Sequence, residues 1–443
     1  MKNIVLNKGH NIQIAGVPSK EIFPLTGLKT VSIIPTEFRD VKPKLLVKEG
    51  DKVELGSPLF FDKSKPDVRW ASPACGSILS IQYGARRVVE KIEIKVEGFE
   101  AKSFNILTKN QLKSSDRKTI LGLILKANLF PLIRQRPFNK IPDPKVFPRD
   151  IFISIVHTSP LAVDIESIVE NFLNEFQAGV TGLSKLTDGS VYITSSKGIK
   201  FEDAESQRIA GPHPAGNVGI QIHHSKPIKP GDIVWTLDAQ HVITLGKLFL
   251  TGNYDPSIIV SIGGSGATKP QTVKTVTGVS VKALIANQEL ETPVRLISGD
   301  VLTGTTTDKE HFLGFYNSTL SIINDVVERP FMGMLSPGST ATKYSLTNTF
   351  IGLRNRLFNF NTAQNGELRA IVPLNAWENV LPMDIFPNVL YRAILAQDVE
   401  EMEQLGIWEC DEEDFALCSF VCPSKIDVGA VIRDGLNLME ADG

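Results

Sequence analysis

A multidomain α/β protein is what this sequence predicts, and three observations lead there. Its 443 residues are too many for one ordinary domain and suit three or four. The hydrophobic periodicity changes along the chain: short strands with turns, then strands alternating with helices, then strands again, then helix. The composition, 42% hydrophobic and 22% charged, is that of a soluble globular protein with sizeable cores.

Residues 42–96 read as strands. "LLVKEGDKVELGSPLF" alternates apolar and polar residues around Gly50-Asp51 and Gly56, and "ASPACGSILSIQYGARRVVEKIEIKV" does likewise. A "V..GD.V..G..L" half followed by an "aSP..G.I..I" half resembles the biotinyl/lipoyl-type sandwiched hairpin. Carriers of that fold hold a lysine at a hairpin tip, typically between methionines. The matching "FFDKSKPDVRW" has Lys63 and Lys65 but no methionine, so a structural sandwich is weighed against a swinging-arm carrier.

From about 116 to 250 the texture becomes α/β. "RKTILGLILKANLF" spaces Ile120, Leu123, Ile124 and Ala127 as a helix does. "IFISIVHT" (151–158), "SVYIT" and "GNVGIQIHH" (216–224) read as strands, and "DIESIVENFLNEFQAGVTGLSKL" reads as one amphipathic helix. Such alternation predicts a largely parallel sheet. Residues 257–335 return to strands and turns ("SIIVSIGGSGATKP", "TGVSVKALI", "VRLISGDVLTG"), and 336–380 is less regular. "NVLYRAILAQDVEEMEQLG" then places Leu390, Ile394, Val399, Met402 and Leu405 on one helical face, with Gly406 as its stop.

A formal net charge of −2 leaves no broad basic surface for a phosphate backbone, which argues against nucleic acid. The four cysteines, Cys75, Cys410, Cys418 and Cys422, are too few and too C-terminal to staple the fold, as in a reducing compartment. "MKNIVLNKGHNIQIAG" lacks a signal-peptide core. "ILGLILKANLFPLI" (120–133) is broken by Lys126 and Asn128 and is too short to span a bilayer. A role at a membrane would therefore be exercised from outside the lipid.

The ending "CDEEDFALCSFVCPSK" closes as an iron–sulfur motif does, C-x2-C-x2-C-x3-C-P. Counting back from Cys422, position 418 complies, but 415 is Phe415 and 412 is Glu412, while Cys410 stands two residues too early. Cys418 and Cys422 then read as two small side chains on one buried helical face, ended by Pro423. "GGSGATKP" fails the Walker pattern because Pro270 follows Lys269, and a tight turn explains it. His213, His223 and His224 lie close together without the companions of a zinc site, so hydrogen bonding accounts for them. "IRQRPFNKIPDPK" (133–145) is either a proline-stiffened solvated loop or a ligand-facing loop with cationic rims and one aromatic plate.

Taken in order, "NIQIAGVP", "VKEGDKVELGSPLFFDKSKPDV", "ASPACGSI", "PFNKIPDPK", "GPHPAGNVGIQIHH", "GKLFLTGNYDP", "RLISGDVLTG", "NGELRAIVP" and "DEEDFALCSFVCPSK" resemble the NqrA family of the sodium-translocating NADH:quinone oxidoreductase, over essentially the whole chain. That family is similar to the RnfC component of the Rnf complex and to the flavin-bearing, NADH-binding component of respiratory complex I. The resemblance implies four units. These are an N-terminal segment with a biotinyl/lipoyl-like β-sandwich hybrid (1–100), a Rossmann-like α/β domain resembling the flavin-binding domain of complex I (101–255), a β-grasp-like, SLBB-type domain (256–335), and a linker with a helical domain like a cluster-less ferredoxin-type bundle (336–443). Where those relatives carry a glycine-rich flavin loop, this chain reads "LIRQRPFNK", with Ile133, Arg134, Gln135 and Arg136 filling the approach. Where they carry an acidic "ECEP"-type segment, it reads "HTSPLA" (157–162).

The resemblance further implies a peripheral subunit on the cytoplasmic side of the bacterial inner membrane, without a transmembrane helix or a tightly bound cofactor. NADH, flavins, iron–sulfur clusters and Na⁺ would be handled by partner subunits, chiefly the integral membrane ones, and ubiquinone would be the substrate. From "SIIPTEFRD" (32–40) and "PFNKIPDPK" (137–145) it suggests Phe38 and Phe138 as packing surfaces for quinone, and Lys140 or Lys145 as donors to a carbonyl oxygen. No residue is assigned a catalytic role, and none a metal, Cys418 and Cys422 being remnants of the cluster motif. A purely structural docking role and an NADH/flavin input module are the alternatives.

Overall fold

The computed structural model describes residues 1–290, 293–325, 331–332, 335, 344–346, 357–372 and 374–442; of the irregular stretch expected over 336–380, residues 336–343, 347–356 and 373 lie outside them.

The alternation read in residues 42–96 builds two small facing antiparallel sheets. One orders Thr30–Ile33, Val89–Gly98, Cys75–Tyr83 and Lys52–Val53; the other orders Pro43–Leu45, Pro58–Asp62 and Lys65–Ala71. Inward residues of each strand meet between them. Val31, Ile33, Phe60, Trp70, Ile92 and Ile94 are buried there, with the Phe60 and Trp70 rings stacked 4.5 Å apart. The hairpin tip that raised the carrier reading is an ordered turn: Asp62 accepts bonds from the Ser64 amide and hydroxyl, and Lys65 Nζ donates to the Ile141 carbonyl at 2.8 Å.

Counting the two facing sheets as one sandwich, the second sheet, of six strands, orders Lys2–Val5, Glu205–Ala210, Val191–Ser195, Asp150–Ser154, Val234–Asp238 and Arg134–Arg136. All its pairs are parallel except that of the Arg134–Arg136 edge. The third orders Thr305–Thr307, Val294–Ser298, Thr319–Asn324, Ser257–Gly263, Gln271–Val276 and Ile22–Pro24. The first 33 residues therefore supply a strand to each of three sheets. Pro387–Ala396, Val399–Gln404, Glu412–Val421 and Val428–Asp442 are helices packed around Leu390, Met402, Phe415, Ile432 and Leu436.

Several expectations need correction. "GNVGIQIHH" is not a strand: from Val218 on it belongs to the helix Val218–Ser225. Its period-2 pattern misleads because Gln221, in the polar position, is itself buried, with its amide donating to Ser154 Oγ at 2.8 Å and the Ala215 carbonyl at 3.1 Å. "TGVSVKALI" contributes a helical turn, Val281–Leu284, capped by Ser280. The long helix expected from 164 is two, Ile165–Asn171 and Leu173–Ser184, interrupted where Phe172 leaves helical dihedrals. The C-terminal amphipathic helix is likewise two, because Gln397 turns left-handed (φ 58°) and Asp398 caps a new start by accepting the Glu401 amide. Gly406, at φ 85°, ends it as read. "GGSGATKP" is a turn against the N-terminal segment, its Gly264 amide donating to the Gly16 carbonyl at 2.9 Å.

The helices Leu173–Ser184 and Ala239–Thr251 cover one face of the second sheet and cross at near-backbone contact. A Cβ on Gly246 would stand 1.7 Å from the Glu175 carbonyl oxygen, and one on Gly179 would stand 2.3 Å from that of Val242. Gly122, inside the helix Arg117–Lys126, has open space instead. Gly246→Ala is expected to lower stability by about 1–3 kcal/mol through overpacking. Gly122→Ala should raise it by roughly 0.5–1 kcal/mol through helix propensity. Chemical denaturation of the two variants checks the pair; equal effects would contradict the packing argument.

Candidate functional site

The second sheet places the candidate site. From Asp150–Ser154 the chain steps outward to Val191–Ser195 and Glu205–Ala210, then returns on the other side as Val234–Asp238. Strand order reverses between Asp150–Ser154 and Val234–Asp238, and crevices beyond the carboxyl ends of such strands are where α/β folds hold ligands. Here that crevice is the floor of a cleft of about 1240 Å³. Its walls come from the third sheet (Gly299–Gly304, Gly314–Thr319), from the 139 region, and from the start of the helix Glu412–Val421.

Arg134, on the edge strand, enters the cleft half-buried, its guanidinium 4.8 Å from the Tyr316 ring centroid, and no carboxylate among the described residues pairs with it. Tyr316 donates its hydroxyl to the Pro131 carbonyl at 2.7 Å, and burial pushes that phenol up. Glu37, on the turn Pro35–Glu37, accepts the Phe315 amide at 2.8 Å. Desolvation by the enclosing walls raises its carboxyl to about 7 against that hydrogen bond. His157, from "HTSPLA", lies 3.6 Å from Asp238. Burial would raise the Asp238 carboxyl, but His157, His241 and the Gln240 amide outweigh it and hold it at about 2. His213 bonds Thr158 Oγ1 through Nδ1 at 3.1 Å, and burial pushes its imidazole well below the usual range. His223 pairs with Glu409 at 2.8 Å, and His224 with the Pro382 carbonyl at 2.7 Å. All three histidines are thus hydrogen-bonded, as expected from sequence.

Beside the cleft lies a buried cluster of charges. Arg136, fully buried, points into the first turn of the helix Glu412–Val421. It meets Asp411 at 3.1 Å and Asp414 at 3.3 Å, and it bonds Glu413. Two more arginines converge from other parts of the fold. Arg39 contacts Glu412 at 3.3 Å, and Arg433 contacts Glu412 at 2.7 Å and Asp411 at 3.4 Å. Both also donate to the Phe138 carbonyl, at 2.8 Å and 3.1 Å. Four acids at a helix N-terminus are favoured by the helix dipole. The same turn docks on the helix Val218–Ser225, where Asn217 Nδ2 donates to the Glu413 carbonyl at 3.0 Å. A Cβ on Gly219 would fall 1.9 Å from Asp414 Oδ2, so glycine is needed for that carboxylate to settle there. Burial raises the Asp411 and Asp414 carboxyls in spite of Arg136, whose own guanidinium is held charged by the acids.

The residues suggested from sequence fall in different places. Phe38 is 3% exposed, its ring against Trp70, Phe315 and Tyr316 at 5.0, 5.1 and 5.9 Å. Phe138 and Lys140 are brought together: the ammonium stands 5.2 Å from the Phe138 ring, which meets Trp408 edge-on at 5.7 Å, and Lys140 also bonds Glu440. Lys145 is exposed on a turn apart from them. Cys410, Cys418 and Cys422 are each 1% exposed within the helical core. Among the described residues no three His, Cys, Asp or Glu side chains gather as metal ligands would.

Each of the first three units matches a known family of domains. Residues 4–97 match the NqrA N-terminal barrel-sandwich hybrid domain, 115–254 the NqrA second alpha/beta domain, and 259–309 the NQRA C-terminal domain. The NqrA protein of the Na⁺-translocating NADH-quinone reductase from Neisseria meningitidis serogroup B is 37% identical over 448 residues, covering 99% of this chain and 100% of the relative. The chain belongs to the NqrA family. Family members from Pasteurella multocida (37%) and Vibrio atlanticus (36%) match over 99% of this chain and all of theirs. Membership makes the chain part of an oxidoreductase complex that couples NADH and quinone to sodium transport, and implies other subunits. Among solved structures, an NAD⁺-reducing [NiFe]-hydrogenase in its H2-reduced state is similar at 9% identity and a TM-score of 0.38, over 74% of this chain and 61% of that one, too slight a likeness to bear on function. Among the described residues no helix is long and apolar enough to cross a membrane.

Sequence reading missed Arg39, Arg433 and the purpose of the run Asp411–Asp414. Four acids ahead of an apolar helix are a visible N-terminal signal, but the cysteine spacing drew attention away from them. Removing Arg136 leaves buried carboxylates uncompensated, so Arg136→Ala should cost about 3–5 kcal/mol, read by chemical denaturation. The Asp411 and Asp414 carboxyls are raised on folding. The stability they contribute is complete below the ordinary aspartate range and is lost as pH rises through the raised values. Asp414→Asn should therefore flatten the fall in stability between about pH 4 and 8 relative to the parent protein. An unchanged slope would mean that this carboxyl does not titrate with folding.

Proposed function

We propose that the chain serves as the peripheral subunit, on the cytoplasmic side of the bacterial inner membrane, of a Na⁺-translocating NADH:quinone oxidoreductase, and that it contributes to ubiquinone binding. Integral membrane subunits would be its main partners. NADH, flavin, iron–sulfur and Na⁺ chemistry would fall to other subunits.

The observation that carries the reading is the pairing of Phe138 and Lys140. Phe138 and Asn139 both hold left-handed dihedrals (φ 77° and 53°), and the Phe138 carbonyl is gripped by Arg39 and Arg433. The loop thus presents an aromatic plate with a cationic donor at its edge. A quinone ring would pack on the plate, and its carbonyl oxygen would compete with Glu440 for the ammonium. Phe38 would act through the Phe315 and Tyr316 wall it supports, and Lys145 would sit at the rim. A flavin-bearing input module would require residues 133–136 to open, against three carboxylates that hold Arg136.

Exposed apolar side chains favour a docking role as the second reading. Phe331, Leu335 and Leu368 are 94%, 67% and 75% exposed, and Leu374 is 54% exposed. Titrating the purified protein with a short-chain ubiquinone, followed by tryptophan fluorescence since Trp408 adjoins Phe138, separates the two. Quinone binding predicts saturable quenching, weakened about tenfold or more by Phe138→Ala and by Lys140→Ala. Affinity unchanged in both variants would reject this site and leave docking.

A further inference from the structure

The outward face of the small three-stranded sheet is basic, although the whole chain carries a net charge of −2. Along "VKPKLLVK" (41–48) exposure alternates with the pleat: Val41, Pro43, Leu45 and Val47 turn inward, while Lys42, Lys44, Leu46 and Lys48 are exposed. Lys44 stands directly opposite Phe61, its ammonium 5.7 Å from that ring, and Phe61 stands opposite Arg69, so the three share the outer face. Lys63 continues it at the hairpin tip, where its amide donates to the Lys42 carbonyl.

None of these five cations has a carboxylate within salt-bridge distance among the described residues. The nearby acids are committed elsewhere: Asp62 to the Lys42 and Ser64 amides, Asp51 to the Lys48 amide, and Glu49 to the Ile81 amide. Asp67 is the one exposed carboxylate on the same strands. Leu46, 45% exposed, stands among the lysines as an apolar tooth. Lys65, at the margin, ties this sheet to the loop of Phe138 and Lys140 through the Ile141 carbonyl.

We propose that this face lies against the anionic headgroups of the bilayer. A row of unpaired cations with an apolar residue among them matches a negatively charged lipid surface, which draws such groups within a Debye length. The sheet would then hold the Phe138–Lys140 loop near headgroup level, where a lipid-soluble quinone is available. This inference rests on the peripheral location proposed above.

Co-sedimentation of the full chain with phosphatidylglycerol vesicles and with pure phosphatidylcholine vesicles is the test. Binding to the anionic vesicles, lost in high salt and reduced about fivefold for each of Lys42→Gln, Lys44→Gln and Arg69→Gln, supports the proposal. Lys118→Gln, on an exposed helix outside this face, should leave binding unchanged. Three outcomes overturn it: no binding to anionic vesicles, equal binding to both compositions, or equal loss in the Lys118 variant. If vesicles fail while the chain still co-purifies with integral membrane subunits, and the Lys44 variant breaks that association, the face meets an acidic protein surface and the peripheral reading stands. If the chain neither binds vesicles nor co-purifies with membranes, the peripheral reading itself falls.

Discussion

One buried guanidinium organises this molecule. Arg136 leaves the edge of the parallel sheet and ends among three carboxylates of a helix almost 280 residues further along the chain. A charge so buried is tolerated only when paired, and the acids are tolerated only because Arg136, Arg39 and Arg433 reach them. The three arginines come from the β-sandwich, the α/β sheet and the C-terminal helix, so the cluster fixes three parts of the fold at one point. The walls of the cleft and the backbone of Phe138 are set by the same contacts.

That arrangement accounts for the acidic start of the helix Glu412–Val421, whose cysteine-bearing face packs into the helical core. Ion pairing anchors its first turn, and Phe415, Leu417, Cys418 and Cys422 bury the remainder. The helix is retained by packing and charge; just ahead of it, burial and nearby carboxylates push the Cys410 thiol well up, far from the thiolate form.

Local patterning was legible where burial followed the period of the backbone. The strands Asp150–Ser154 and Ser257–Gly263 and the helix Arg117–Lys126 stand where their apolar residues place them. Reading failed where a polar side chain was buried, as with Gln221, or where a single residue broke the helix, as with Gln397 and Phe172. The cleft was illegible for a different reason. Arg134, Glu37, His157 and Tyr316 are separated by up to 279 positions and share no spacing; only the fold assembles them. Phe138 and Lys140 are two residues apart on one loop, and their proximity is local chemistry that a sequence can carry.

The N-terminal segment has a consequence for how the molecule is made. Lys2–Val5 pairs with Glu205–Ala210, and Ile22–Pro24 pairs with Gln271–Val276. At roughly 5–20 residues per second of synthesis, the strand Lys2–Val5 waits about 10–40 s for its partner to emerge. Throughout that interval its backbone donors and acceptors are unclaimed, and it is an open template for any neighbouring chain. A nascent chain of this design has a built-in interval of vulnerability, set by the length of the loop that this strand must close.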